Sequence, residues 1–369
     1  MSVAINGTNG ITYNDGSLQP SAIGKNLIIN GNMQIAQRAT SVTGITTAGY
    51  RTVDRYDVAL NSAGTWSMSQ DTDVPTGQGF ASSFKIDCTT ANASLSAASY
   101  GLAIQPIEAF NCQQLAYGAA GAKSVTMSFW VKSNKTGTYI FDLRNLDADK
   151  LISQAYTISS ANTWEKKTLT FVGDTAGAIN NDNGNGLQCS FWLAAGSNYS
   201  SGTLQTSWGT HSPANRAVGQ VNLADSTANY INITGVQLET GTTATPFENL
   251  QYTTQLQLCQ RYLPAFSGIS NWFGFGIIVN SSALYSTVTY KVPTRVAPTG
   301  LVISSASHFT CGDFIATNNI ASAISMSSAG TDSAFVGVTS SVANLTAART
   351  GTFTAISASS LLYFTGCEL

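Results

Sequence analysis

Short alternating runs are the strongest constraint on what this chain can fold into. Ser124-Val125-Thr126-Met127-Ser128-Phe129-Trp130-Val131 and Thr138-Tyr139-Ile140-Phe141-Asp142-Leu143 mix β-branched and aromatic residues with polar ones in a period of two, and residues 167–172 and 230–236 follow the same rule. That period predicts strands with one buried face. Clusters of Gly, Asn, Asp and Ser separate the runs at short intervals. Asn134-Lys135-Thr136-Gly137 reads as a hairpin loop between two strands, and residues 180–186 read as a Gly/Asn-rich surface loop. Helix signals are scarce. Many short strands at regular spacing point to an all-β sandwich or jelly roll.

Length and charge narrow the class further. With 369 residues the chain is long enough for at least two hydrophobic cores. Only 10% of residues are charged and the net charge is -2; Ser, Thr, Asn and 33 Gly take the place of the missing charge. Such a surface is polar but nearly neutral, which suits sugars. It carries no basic stripe of the kind that holds nucleic acid. No apolar run reaches the roughly eighteen residues a membrane span needs, so membrane insertion is not expected. Residues 1–19 lack the basic-then-apolar order of a signal peptide, and synthesis in a cytosol is expected. Cys88, Cys112, Cys189, Cys259, Cys311 and Cys367 show no C-x-x-C spacing. They read as buried small hydrophobes, with a disulfide formed after cell lysis as the alternative. With His211 and His308 the only histidines, no zinc ligand set is in sight.

Three segments emerge. Residues 1–24 are rich in turn formers and read as an extended leader, a possible attachment to a larger particle. Residues 25–250 form the main β-domain. Residues 250–263 place Tyr252, Leu256, Cys259 and Leu263 on one face at helical spacing and predict a short helix bridging two β regions. Residues 251–369 make the second region, with strand-like text at 276–279 and 285–290. Residues 301–360 hold few large apolar side chains and almost no charge. A lone domain of that composition buries little apolar area, at about 25 cal/mol per Å². Packing identical copies around a three-fold axis adds burial, so a homotrimer is expected.

Several words carry a resemblance. Asn26-Leu27-Ile28-Ile29-Asn30-Gly31-Asn32-Met33-Gln34-Ile35-Ala36-Gln37-Arg38 is followed in order by Asp54-Arg55-Tyr56, Pro75-Thr76-Gly77-Gln78-Gly79-Phe80 and Gln105-Pro106-Ile107-Glu108. Ser128-Phe129-Trp130-Val131-Lys132-Ser133, Asn162-Thr163-Trp164-Glu165, Ile233-Thr234-Gly235-Val236-Gln237-Leu238-Glu239 and Ala244-Thr245-Pro246-Phe247-Glu248 come next. Cys259-Gln260-Arg261-Tyr262 and the ending Phe364-Thr365-Gly366-Cys367-Glu368-Leu369 complete the series. This collinear set resembles phage tail-fibre and other virion-associated proteins with a carbohydrate-binding-module-like jelly-roll domain. Tyr56 stands where that group has Trp, and Pro106 where it more often has Arg. The resemblance implies a jelly-roll β-sandwich, with residues 26–38 as its opening strand, followed by a smaller C-terminal β-sandwich. It also implies display on a virion assembled in the host cytoplasm.

The chemistry expected is binding. Nucleophile elbows, a P-loop, paired-His helices and a dinucleotide fingerprint are absent, so no catalytic residues are assigned and no enzyme is expected. Sugar recognition rests on flat rings with a few placed polar groups. Trp130, Trp164 and Trp192 lie in strand-like text and read as core. Trp66, Tyr199, Trp208 and Trp272 stand among Gly, Ser, Asn and Thr and are the candidate ligand-binding residues, with Tyr199 and Trp208 the first choice for a loop platform. A structural calcium is a possible cofactor, with Asp54, Asp57, Glu239 and Glu248 as oxygen donors. Carboxylates paired with Arg38, Arg55 or Arg261 explain the same residues. The expected role is a virion fibre or receptor-binding protein that contacts host surface polysaccharide and joins other virion proteins through its N-terminal segment. The alternative is a head-decoration or adaptor protein with no glycan ligand, and a depolymerase stands third.

Overall fold

Alternation becomes two face-to-face sheets. The computed structural model describes residues 24–269, 272–313 and 318–369, together with the backbone of β1 (Ala4–Asn6), β2 (Gly10–Thr12) and β3 (Leu18–Gln19), which pair as a small antiparallel sheet. The rest of the leader expected over residues 1–24, and any attachment role for it, lies outside the described residues. The chain divides into two compact units, Met1–Tyr252 and Thr253–Leu369.

The first unit continues with β4 (Ser41–Ile45), β5 (Gly49–Tyr50), β6 (Asp57–Asn61), β7 (Thr65–Asp71), β8 (Ser83–Thr90), β9 (Tyr100–Glu108) and β10 (Val125–Ser133). After these come β11 (Gly137–Asn145), β12 (Lys150–Ile158), β13 (Glu165–Phe171), β14 (Asn185–Ala195), β15 (Gly209–Thr210) and β16 (Tyr230–Thr240). One sheet runs β13-β10-β16-β8-β7-β4 and the other β15-β12-β11-β14-β9-β6-β5, with antiparallel pairing in both. Val125, Met127, Phe129 and Val131 of β10 point into the same core as Phe141 and Leu143 of β11 and Phe191 and Leu193 of β14. Phe129 stands edge-on to Phe191 at 5.0 Å and to Tyr156 at 5.1 Å. Each such side chain contributes about 1.5–3 kcal/mol by leaving water. The expected all-β jelly-roll sandwich is therefore present.

Two local expectations fail. Asn134–Gly137 is not a hairpin loop, because β10 and β11 belong to different sheets. It is an arch between layers, held by Asn134, which donates to Asn229 (3.0 Å) and accepts from the Tyr230 N–H (3.0 Å). Residues 26–38, expected as an opening strand, form turns instead. Side chains satisfy that backbone: Gln105 bonds both the N–H and the carbonyl of Ile29 (2.8 and 2.9 Å), and Asn30 bridges Ile35 and Asp54. Arg55, expected in a structural role, is buried and donates to the Pro106 carbonyl at 2.7 Å.

The second unit holds β17 (Ala265–Ser267), β18 (Trp272–Asn280), β19 (Ala283–Thr289), β20 (Gly300–Ile303), β21 (Phe309–Asp313), β22 (Asn318–Ala329), β23 (Ser333–Ser340), β24 (Thr350–Ala355) and β25 (Leu361–Thr365). Six of these close into a barrel, β18-β19-β23-β22-β21-β24, and β17-β25-β20 form a second sheet that shares its core through Leu362 and Phe364. Closure of the six strands removes their edges. The expected helix spans Tyr252–Gln260, but its buried face runs through Gln255 and Cys259 while Tyr252 is exposed. Among the described residues no helix is long and apolar enough to cross a membrane. All six cysteines are buried and none forms a disulfide. Burial, with the charge of Asp147, pushes the Cys112 thiol up to about 12, so it is chemically quiet.

Candidate functional site

Within the first unit, Trp66, Tyr199 and Trp208 do not form one platform. Trp66 is fully buried and donates its indole N–H to the Ala63 carbonyl (2.9 Å), so it cannot stack on a ligand. The reason lies in β7, where Trp66 and Met68 occupy the inward parity between Thr65, Ser67 and Ser69. Tyr199 is half-buried beside Tyr100 (5.4 Å) and Trp192 (5.7 Å). Trp208 is half-buried edge-on to Tyr117 (5.6 Å), with its indole N–H bonded to the Val172 carbonyl at 2.7 Å. Trp272 belongs to the second unit, where it is exposed and 6.0 Å from Phe275.

The outer face of the seven-stranded sheet carries Tyr199 in a pocket of about 210 Å³, with Tyr100, Gln188, Trp192 and Arg216 among its lining. Its floor is occupied by its own chemistry. Arg216 makes a forked pair with buried Asp142 (Nε–Oδ2 3.0 Å, Nη2–Oδ1 3.2 Å) and lies 4.9 Å over the Trp192 ring. Trp192 donates to the same carboxylate at 2.8 Å, and Gln188 donates to Ser190 at 3.1 Å. Among the described residues, the hydroxyls of half-buried Tyr100 and Tyr199 have no hydrogen-bond partner there.

The outer face of the six-stranded sheet is different. A pocket of about 450 Å³ opens there, lined by Gln78, Phe80, Ser128, Trp130, Lys166, Gly235, Phe247 and Asn249 with residues 244–246. That volume lies in the usual range for small-ligand sites, about 300–1,000 Å³. Trp130 stands on the polar parity of β10, with Ser128 and Lys132, and directly opposite Lys166 of β13. Its position is set by a β-bulge. The register between β10 and β16 shifts between Ser128 and Trp130, and Gly235 sits there at φ +61°. A Cβ at Gly235 would lie 2.6 Å from the Phe80 ring and 3.1 Å from Trp130, so only glycine lets the two rings close on the strand.

Loops on both sides complete the cavity and are fixed in place. Phe80 meets Phe247 edge-on at 5.1 Å. The loop bearing Phe247 is tied to β16: Glu239 accepts from the Thr245 N–H (2.8 Å) and hydroxyl (2.7 Å), and the Glu248 N–H donates to Gln237 at 2.8 Å. The Glu248 carboxylate accepts the backbone N–H groups of Gly24, Lys25 (3.1 Å) and Asn26 (3.0 Å). Four of the words that carry the sequence resemblance, at 75–80, 128–133, 233–239 and 244–248, thus meet around this one pocket.

Several polar groups of the lining have no partner among the described residues. Of the five tryptophans in the first unit, Trp66, Trp164, Trp192 and Trp208 each donate the indole N–H to a protein acceptor. Trp130 has none among the described residues, and neither do the side chains of Ser128, Gln78, Asn249 and Lys166. Ser128 is only 3% exposed. Three rings with free donors and acceptors between them are the elements of a carbohydrate site. Trp130 was read as core. The parity of Thr126, Ser128, Trp130 and Lys132 against Val125, Met127, Phe129 and Val131 is the signal that marks it as outward.

Of the four carboxylates considered for calcium, Asp54, Glu239 and Glu248 accept protein hydrogen bonds. Asp54 is buried, accepts from the Gln37 N–H (2.9 Å) and side-chain amide (2.6 Å), and burial raises its pKa. Glu239 and Glu248 hold the loop just described, and Glu239 also pairs with Lys25 at 3.6 Å. Burial likewise raises the pKa of Asp57 on β6. Among the described residues no three His, Cys, Asp or Glu side chains gather as a metal site.

No family model matches this chain, and no curated protein matches it. Solved structures do. The enzymatically active domain of tailspike protein 4 from bacteriophage CBA120 is 16% identical over 58% of this chain and 21% of that one, with a TM-score of 0.29. The chain thus matches about a fifth of that protein's length. A putative sugar binding protein from Bacteroides thetaiotaomicron is 11% identical over 59% of this chain and all of the other, at a TM-score of 0.32. A family 11 carbohydrate-binding module from Clostridium thermocellum, solved with a mixed-linked tetrasaccharide, is 12% identical over 61% of this chain and all of the other, at 0.27.

Proposed function

We propose that this protein is a non-enzymatic virion fibre or receptor-binding component whose jelly roll holds host surface glycans in the Trp130 pocket. One observation carries the binding part: an indole N–H, a hydroxyl, two amides and an ammonium, all without protein partners among the described residues, share a preformed cavity with three aromatic rings. Sugar hydroxyls both donate and accept, and the C–H faces of a pyranose suit the rings. The sequence words shared with virion-associated jelly rolls support the particle location. Assembly as a homotrimer through the second unit is part of the same reading. It is supported by β18, where Trp272, Phe275, Ile277 and Val279 are all exposed on one strand.

That exposed strip also favours a second reading, an adaptor or head-decoration protein whose surfaces serve assembly alone. Binding of purified protein to host cells separates the two. The first reading expects binding that falls at least about tenfold in Trp130→Ala; a hot-spot aromatic carries that much. Equal binding by both proteins, or none by either, favours the second. Mass photometry tests the trimer, and a stable monomer at nanomolar concentration contradicts it.

A further inference from the structure

We infer that the pocket selects an acidic sugar, one bearing a carboxylate or a phosphate, and that Lys166 is the residue that selects it. The inference rests on the glycan reading and adds the class of ligand. Among the described residues Lys166 supplies the only charge in the lining, and no carboxylate lines the cavity. Its ammonium has no ion-pair partner among the described residues. Neighbouring charges are spent on one another: Lys132 pairs with Asp73 at 2.6 Å, and Lys167 with Glu165 at 2.5 Å on the same strand as Lys166. Glu239 and Glu248 hold the opposite loop. A lone cation beside an aromatic platform therefore acts without local competition. Register fixes its place, since Lys166 faces Trp130 across β13 and β10. A sugar stacked on the indole brings its ring substituents within reach of the ammonium. The Trp130 N–H points the same way chemically, being a donor with no acceptor. An acceptor-only anion matches both.

The test is an array of bacterial capsular and O-chain polysaccharides probed with the full chain. Each acidic polysaccharide is printed beside its neutralised counterpart, carboxyl-reduced for uronates and dephosphorylated for phosphate-bearing chains. The native protein should bind at least one acidic member about tenfold more tightly than its counterpart, the scale of a charge-assisted hydrogen bond. Lys166→Met should lose that preference and bind the two members of each pair alike. Lys166 is exposed on an edge strand, so this variant keeps the fold. Which neutralisation weakens binding tells carboxylate from phosphate. Equal binding to both members of every pair, with Trp130→Ala still impaired, overturns the acidic preference and leaves the glycan reading standing. No binding anywhere, or binding unchanged in Trp130→Ala, overturns both.

Discussion

The two outer faces of the sandwich use the same residue types to opposite ends. On the seven-stranded face, Trp192, Asp142 and Arg216 satisfy one another, with the carboxylate fully buried. On the six-stranded face, the side chains of Trp130, Ser128 and Lys166 have no hydrogen-bond or ion-pair partner among the described residues. A tryptophan beside a cation is thus a structural unit in one place and an open invitation in the other. What separates them is not composition but whether a third group closes the network. A buried network that is complete stabilises a unique arrangement; an incomplete one beside a cavity marks where something else binds.

The largest effect should come from breaking the closed network. Asp142→Ala leaves a buried guanidinium without its partner and the Trp192 N–H without an acceptor. A loss of about 3–5 kcal/mol is expected in denaturant unfolding, with any surviving fold still binding at the other face. A smaller loss is expected from Gly235→Ala. The left-handed backbone alone costs about 1–2 kcal/mol, and the new methyl displaces Phe80, so stability and ligand binding should fall together. Trp130→Ala should separate the two quantities. Its unfolding midpoint should stay close to native while binding drops at least about tenfold. If its stability falls as far as that of Asp142→Ala, the contrast between the faces is lost.

The smallest effect concerns acid. Burial, followed by the charges of Arg144 and Arg216, lowers the pKa of His211 below its ordinary 6.5. As pH falls, the unfolded chain therefore takes up the proton before the folded one does. Stability should be complete above pH 6.5 and decline below it, down to the lowered folded value. His211→Gln should flatten that part of the profile, measured as unfolding midpoint against pH.

Much of the fold was legible because period-two alternation reports burial directly. The runs at 124–131, 138–143, 167–172 and 230–236 all lie in strands apart from the end residues Ser124 and Val172. Pairing was not legible. Asn134-Lys135-Thr136-Gly137 has good turn chemistry, but turn residues do not say whether the next strand joins the same sheet or crosses to the other. Residues 26–38 look like a strand from their Ile and Leu content; distant side chains, Gln105 above all, supply the backbone bonds that a neighbouring strand would have made. The candidate site was partly within reach. Parity marks Trp66 as inward and Trp130 as outward, and neighbouring Gly and Ser misdirected the reading of Trp66. The free state of Lys166 was beyond reach, since it depends on Lys132 and Lys167 each taking another carboxylate.

The most direct test of the contrast is an indole nitrogen–proton NMR spectrum of the six tryptophans, recorded while adding oligosaccharides from the polysaccharide that binds best. The Trp130 signal should exchange with water in the free protein, then shift and become protected on binding, while Trp192 stays where it was. Movement of Trp192 with Trp130 unaffected would contradict the assignment and move the site to the opposite face.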